Sequence, residues 1–176
     1  MSNVIVRNGV IAALDVGTTK VCCFAAQTDE DGQLQISGVG HHRASGMRNG
    51  QVVNMDAVEA SVRAAVDAAE QMANERIDKV VVNMTCGNPR SSQVEVELAV
   101  SGHQIKDTDV RRVIEHAGGY INTDDQELIH CIPTGYSIDG SNGIIDPRGM
   151  YGDRLGVNIH LVTAALGQSR NLSTVI

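Results

Sequence analysis

The sequence predicts an α/β chain built as two modules. Three observations carry that expectation. Short apolar runs of strand length, broken by Gly and Asp, fill residues 11–40; a single long stretch at 56–74 repeats apolar residues every three and four positions; and the texture changes at Gly87-Asn88-Pro89-Arg90, after which apolar and polar residues alternate. The boundaries read as 1–86 for the first module, 87–165 for an inserted second one, and 166–176 for the start of a returning helix.

In the first module, Ile11 to Leu14 form a buried strand that ends in Asp15, and Gly17 allows a tight return into a second strand from about Lys20 to Gln27. Residues 28–32 are an exposed turn, and 34–40 give a third strand, completing an antiparallel meander. The Gly-rich and polar run 43–51 reads as a loop crossing to a helix, opened by His41 and His42, a pair that reads as water-facing rather than as metal ligands. Over 56–74, Val58, Val62, Ala65, Val66, Ala69, Met72 and Ala73 line one face of a helix, which Asn54 or Asp56 can cap. The alanines permit close packing on a sheet. The Val-rich run 79–85 then reads as a strand buried on both faces.

In the second module, Val94, Val96, Leu98 and Val100 alternate with Gln93, Glu95 and Glu97, as in an edge or half-exposed strand. Asp107 caps a helix to about Ala117, with Val110, Val113, Ile114 and Ala117 inside and Arg111, Arg112, Glu115 and His116 outside; Gly118-Gly119 stops it. A strand follows over 127–138, irregular or at an edge near Pro133. Residues 139–152 read as a loop, 155–165 as another strand, and 166–176 as a helix with too few residues to bury itself.

Composition narrows the function. The net charge of -7 is evenly spread with no basic cluster, and aromatic residues make up 2%, which disfavours nucleic acid as a partner because both backbone neutralisation and base stacking lack their residues. No apolar run reaches membrane-spanning length, and residues 1–10 carry no secretory pattern, so a cytoplasmic location is expected. Cys22, Cys23, Cys86 and Cys131 sit in strand-like apolar runs without a CxxC pair and read as buried reduced thiols; adjacent Cys22 and Cys23 point to opposite faces.

The candidate site is the turn between the first two strands. Amides of Gly17, Thr18 and Thr19, the two threonine hydroxyls and the charge of Lys20 form a donor cluster suited to phosphate oxygens, while Asp15 at the strand end can face a metal or its water. The same residues also suit an ordinary hairpin whose Gly and Thr only satisfy turn geometry.

Three strands opening on Asp-x-Gly-Thr, a helix, a strand and then a strand-helix-strand-strand insertion resemble the FtsA family of actin-like bacterial cell-division proteins. The matching stretches are Leu14-Asp15-Val16-Gly17-Thr18-Thr19-Lys20, Gly46 to Asn54, His130 to Asp139 and Gly143 to Met150. The first is shared with many actin-like ATPases and sugar kinases; the last two point to FtsA. The resemblance implies a partial actin-like ATPase (ribonuclease H-like) subdomain, 1A, with an inserted SHS2 module, 1C. It implies phosphate contacts from Gly17, Thr18, Thr19 and Lys20, and Asp15 near a nucleotide-bound Mg²⁺ through water, with ATP and Mg²⁺ as cofactors of the full-length protein. This stretch alone is expected to bind ATP weakly or not at all, because half of the cleft is absent, and to have no enzymatic activity.

The family further implies self-association, tethering of the tubulin-like FtsZ and of the inner membrane through regions missing here, and recruitment of later division proteins such as FtsN through 1C. The surface expected for that recruitment comprises Gln93, Glu95 and Glu97 with Arg111, Arg112, Glu115 and His116; charged faces of this kind also occur simply because they face water. An exposed edge strand adds a physical reason, since its unpaired backbone groups are a template for another chain. Two alternatives stand beside the scaffold: the N-terminal lobe of an actin-fold carbohydrate kinase, which would need substrate-facing aromatics that this chain scarcely has, and a PilM-like pilus-assembly adaptor.

Overall fold

A computed structural model describes residues 10–29, 31–119 and 125–176. The readings placed on residues 1–9 and on Glu30 lie outside them. The chain divides into two compact units, the described part of Met1–Gly87 with Gly167–Ile176, and Asn88–Leu166.

In the first unit β1 (Ile11–Val16), β2 (Lys20–Thr28) and β3 (Leu34–Arg43) form the expected meander, and β6 (Val80–Asn83) adds in parallel beside β1, giving the order β3-β2-β1-β6. Helix α1 (Met55–Ala73) crosses one face. Asn54 is its cap, Oδ1 accepting from the Ala57 amide at 3.1 Å, and Asn74 ends it in the left-handed region at φ 53°. The approach is close because Gly38 and Gly40 of β3 lie against the helix backbone: a Cβ at Gly40 would collide with the Ala65 carbonyl, and one at Gly38 with that of Ala69. Leu14, Val16, Val21, Cys23, Val58, Val62, Ala65 and Ala69 make the core beneath.

Several expectations are corrected here. The run 43–51 is not a plain loop: β3 extends through both histidines to Arg43, and β4 (Met47–Arg48) pairs with β5 (Gln51–Val52) around Asn49 and Gly50, whose φ values of 51° and 76° suit a two-residue hairpin turn. The valine-rich strand β6 is an edge rather than doubly buried, and Val81 is 60% exposed. Helix α3 (Leu166–Thr174) does bury side chains, since Leu172 joins the first core, as does Val175 just past its end. The Cys23 and Cys86 thiols are buried, while Cys22 and Cys131 are only half-buried.

The second unit is a sheet in the order β7-β10-β8-β9 from β7 (Arg90–Ala99), β8 (Gln126–Ile138), β9 (Ser141–Ile144) and β10 (Arg154–Ala165), covered on one face by α2 (Asp107–Gly118). β7 is an edge strand, antiparallel to β10 from Arg154↔Ala99 to Thr163↔Arg90. The β8–β10 register slips where Pro133 pairs Ile159 and Gly135 pairs Asn158, leaving Thr134 as the extra residue. Strand β9 lies within the stretch expected as loop.

Asp107 is the first helical residue rather than the cap. Lys106 holds the cap position, and its amide donates to Asp109 Oδ2 at 3.0 Å. Among the described residues no helix is long and apolar enough to cross a membrane.

Candidate functional site

The turn of the candidate phosphate site is closed by a bond of its own. The Gly17 amide donates to the Lys20 carbonyl at 2.9 Å, and the last strand pair is Val16↔Val21. Gly17 lies outside the left-handed region; a side chain is disfavoured there because a Cβ would stand 3.1 Å from Lys20 O. Glycine therefore serves close approach rather than an unusual φ, and its amide is committed inside the turn. The donors left at the tip belong to Thr18, Thr19 and Lys20, all exposed.

Two contacts tie this tip to its own unit. Gly50 N–H donates to Thr18 Oγ1 at 3.0 Å, and Ala44 N–H donates to Thr19 O at 3.1 Å. Asp15 is half-buried, with Oδ1 accepting from Asn83 Nδ2 at 3.3 Å. The strand registers place His41, Cys22, Asp15 and Asn83 in one row across all four strands of the sheet. Asn83 was missed in the sequence because its neighbourhood with Asp15 depends on parallel pairing across 68 residues.

As a metal site, the arrangement offers one carboxylate. Among the described residues no group of three or more His, Cys, Asp or Glu side chains converges. A lone carboxylate suits Mg²⁺ held mainly by water and phosphate oxygens, the usual mode for that ion, and does not suit a metal held by protein ligands alone. The thiols of Cys23, Cys86 and Cys131 are pushed up by burial, which makes them poor nucleophiles.

The residues expected as a partner surface in the second unit divide into two sets. Val94, Val96 and Leu98 turn inward, so Gln93, Glu95 and Glu97 occupy the sheet face opposite α2, where Glu97 pairs with Arg154 at 2.8 Å. On the other side, Arg112, Glu115 and His116 line a shallow groove of about 400 Å³ with Leu98 and Ala99 of β7. Arg112 Nη2 donates to the Ala99 carbonyl at 3.1 Å, bracing the strand end against the helix. Arg111 stands outside the groove, paired with Asp107 at 2.7 Å.

A family profile described as the SHS2 domain inserted in FtsA matches residues 86–163. The chain is also 36% identical to cell division protein FtsA of Rhizobium meliloti over 97% of its own length and 41% of that protein's. The chain belongs to the FtsA family. FtsA of Pseudomonas aeruginosa is 33% identical over 95% of this chain and 40% of its own length, and that of Escherichia coli 31% identical over 93% and 39%. The chain thus spans about two fifths of the FtsA relatives it matches. Among solved structures, a chain of the PilM-PilN type IV pilus biogenesis complex superposes with a TM-score of 0.58 at 11% identity, covering 94% of this chain and 43% of that one. That likeness shows the fold, the actin-like class with an FtsA-type SHS2 insertion expected from the sequence.

Proposed function

We propose that this chain forms one wall of a nucleotide phosphate site and the partner-binding module of an actin-like cell-division scaffold. The observation that carries the reading is the match to FtsA along nearly the whole chain, joined to a turn whose exposed side chains are two threonines and a lysine beside a carboxylate. Thr18, Thr19 and Lys20 hold phosphate oxygens. Asp15, steadied by Asn83, would hold Mg²⁺ through water, and the ion would supply neutralisation of phosphate charge.

The remaining three fifths of the relatives' length complete the cleft on this reading, so this chain alone binds MgATP only weakly. On this reading it transfers no phosphoryl group by itself, because that chemistry rests on positioning nucleotide and acceptor together, which needs the rest of the cleft. In a protein of the relatives' length, ATP stabilises self-assembly, other regions hold FtsZ and the cytoplasmic face of the inner membrane, and the second unit recruits later division proteins such as FtsN. The edge of β7 with the groove of Leu98, Ala99, Arg112, Glu115 and His116 supports that last role, because backbone donors and acceptors lie beside a recess able to take side chains.

Calorimetric titration of MgATP into this chain and its Lys20→Ala variant tests the phosphate wall; micromolar affinity of the chain alone overturns the half-cleft reading. Extended to the relatives' length, the protein is expected to sediment with liposomes and to form no sugar phosphate from ATP and sugars. Sugar phosphorylation without sedimentation would establish the kinase alternative instead.

A further inference from the structure

We propose that the small hairpin β4–β5 reports on the phosphate turn: the Gly50 amide sets the Thr18 hydroxyl as a donor toward an anion, and the hairpin carries the state of that hydroxyl to the start of α1. The identity of the anion rests on the phosphate reading above; the connection itself rests on geometry. Gly50 N–H donates to Thr18 Oγ1 at 3.0 Å. A threonine hydroxyl has one proton and two lone pairs, so accepting this bond leaves the proton to donate, which is what a phosphate oxygen requires.

The hairpin is well placed to transmit. Its turn is fixed by Asn49 and Gly50 in the left-handed region and by the Arg48↔Gln51 pair, while Met47 and Val52 pack on the first core. Immediately before it, the Gly46 carbonyl accepts both the Val53 amide at 2.8 Å and the Asn54 amide at 3.1 Å. Asn54 is the cap of α1, accepting from the Ala57 amide. A second tie lies alongside, where Ser45 N–H donates to Ser61 Oγ at 3.1 Å and that hydroxyl donates to the Ala57 carbonyl at 2.8 Å. The hairpin therefore links the Thr18 hydroxyl to the first turn of α1 through a short series of hydrogen bonds. A phosphate that draws on the Thr18 proton polarises the same hydroxyl and strengthens its bond from Gly50.

Amide hydrogen exchange read by NMR tests this in the chain as it stands, in Thr18→Val and Thr18→Ser, with and without millimolar Mg-tripolyphosphate. Thr18→Val should speed exchange at Gly50 by about fivefold, the scale of one lost hydrogen bond, and Thr18→Ser should stay within about twofold of the parent. With Mg-tripolyphosphate, the Thr18 to Lys20 resonances should shift, and exchange at Gly50 and Ala57 should slow in the parent and in Thr18→Ser but not in Thr18→Val.

Unchanged Gly50 exchange in Thr18→Val overturns the proposal. A response of Thr18 to Lys20 without slowing at Gly50 overturns the reporter role and leaves the phosphate reading standing, whereas no response at either place overturns both. Should Thr18→Val fail to fold, slowing at Gly50 in the parent and in Thr18→Ser supports the proposal and its absence overturns it.

Discussion

Arg148 reaches the Asp107 carboxylate with both Nε and Nη2 at 3.1 Å, so the loop after β9 is fastened to the first turn of α2. The same guanidinium meets Asp146 at 3.0 Å, and Asp107 also takes Arg111 at 2.7 Å. Beneath this exposed network runs a backbone pairing, with the Ile105 amide donating to Met150 O at 2.8 Å and the Gly149 amide to Ile105 O at 2.9 Å, around a fully buried Pro147. The stretch 143–150, one of those that pointed to FtsA, thus anchors the helix that lines the groove. Arg148→Ala should lower the urea midpoint only slightly, and the loss should vanish in high salt, because solvent screens exposed pairs and the backbone pairing remains. A large, salt-independent drop would place the anchoring in the side chain instead.

Asp109 should matter more. It is buried, and its carboxylate accepts from the Lys106 amide and from His103 Nε2, both at 3.0 Å; these bonds, the Lys106 amide foremost, hold its pKa below the ordinary carboxylate value. Asp109→Ala should cost about 1 kcal/mol, as for loss of a helix cap. The sign of the pH effect follows from the lowered folded pKa. The stabilisation is whole above the unfolded-chain value near about 4 and disappears as pH falls through the folded value. Melting of the parent and of Asp109→Asn from neutral pH downward should show the gap between them closing only in acid; a gap that does not vary with pH would assign the effect to packing.

Gly40 gives the most severe prediction. A methyl group there meets the Ala65 carbonyl of α1, a backbone atom that cannot swing aside, and moving the helix away would uncover Ala65 and Ala69, both fully buried against the sheet. Gly40→Ala should cost about 3 kcal/mol or more through overpacking, and Gly38→Ala should act in the same direction. Gly135→Ala is the control, since its Cβ would have open space and should stay within about 0.5 kcal/mol of the parent. Equal stability of Gly40→Ala and Gly135→Ala in denaturant titrations would contradict the close sheet–helix approach.

The close approach was legible in part. The alanine-rich face of α1 showed in the spacing of Val58, Val62, Ala65 and Ala69, and the alternation of Val94, Val96 and Leu98 showed which face of β7 turns inward. What the sequence hid has physical reasons. Strands as short as Met47–Arg48 and Gln51–Val52 offer no period to read, although Asn49-Gly50 is itself a hairpin signal. The valines of β6 resemble a doubly buried strand, but burial depends on what packs on each face: Val80 and Val82 lie against the first core while Val81 faces outward, and among the described residues β6 pairs with β1 alone. At the site, the composition of Gly17 to Lys20 was legible, whereas the commitment of the Gly17 amide to Lys20 O and the placing of Asn83 beside Asp15 arise only from folded geometry.

That placing gives the last prediction, which belongs to the phosphate reading. Asn83 Nδ2 donates to Asp15 Oδ1 at 3.3 Å, a long bond between a half-buried acid and an exposed amide, so its loss should scarcely alter stability. Its value lies in orientation. With Oδ1 engaged by Asn83, Oδ2 would be the oxygen left to hold a Mg²⁺ through water, and a rotating carboxylate would spend less time in that pose. Asn83→Ala should therefore weaken Mg-tripolyphosphate binding by about threefold, less than the tenfold or more found when a partner of a direct metal ligand is removed. The same variant should bind tripolyphosphate without Mg²⁺ as the parent does. On the same reading Lys20 acts on phosphate charge directly, so Lys20→Ala should weaken binding with and without the metal alike. Paired titrations separate the two roles: if Asn83→Ala weakens binding equally in both conditions, Asn83 shapes the turn rather than the carboxylate that faces the metal.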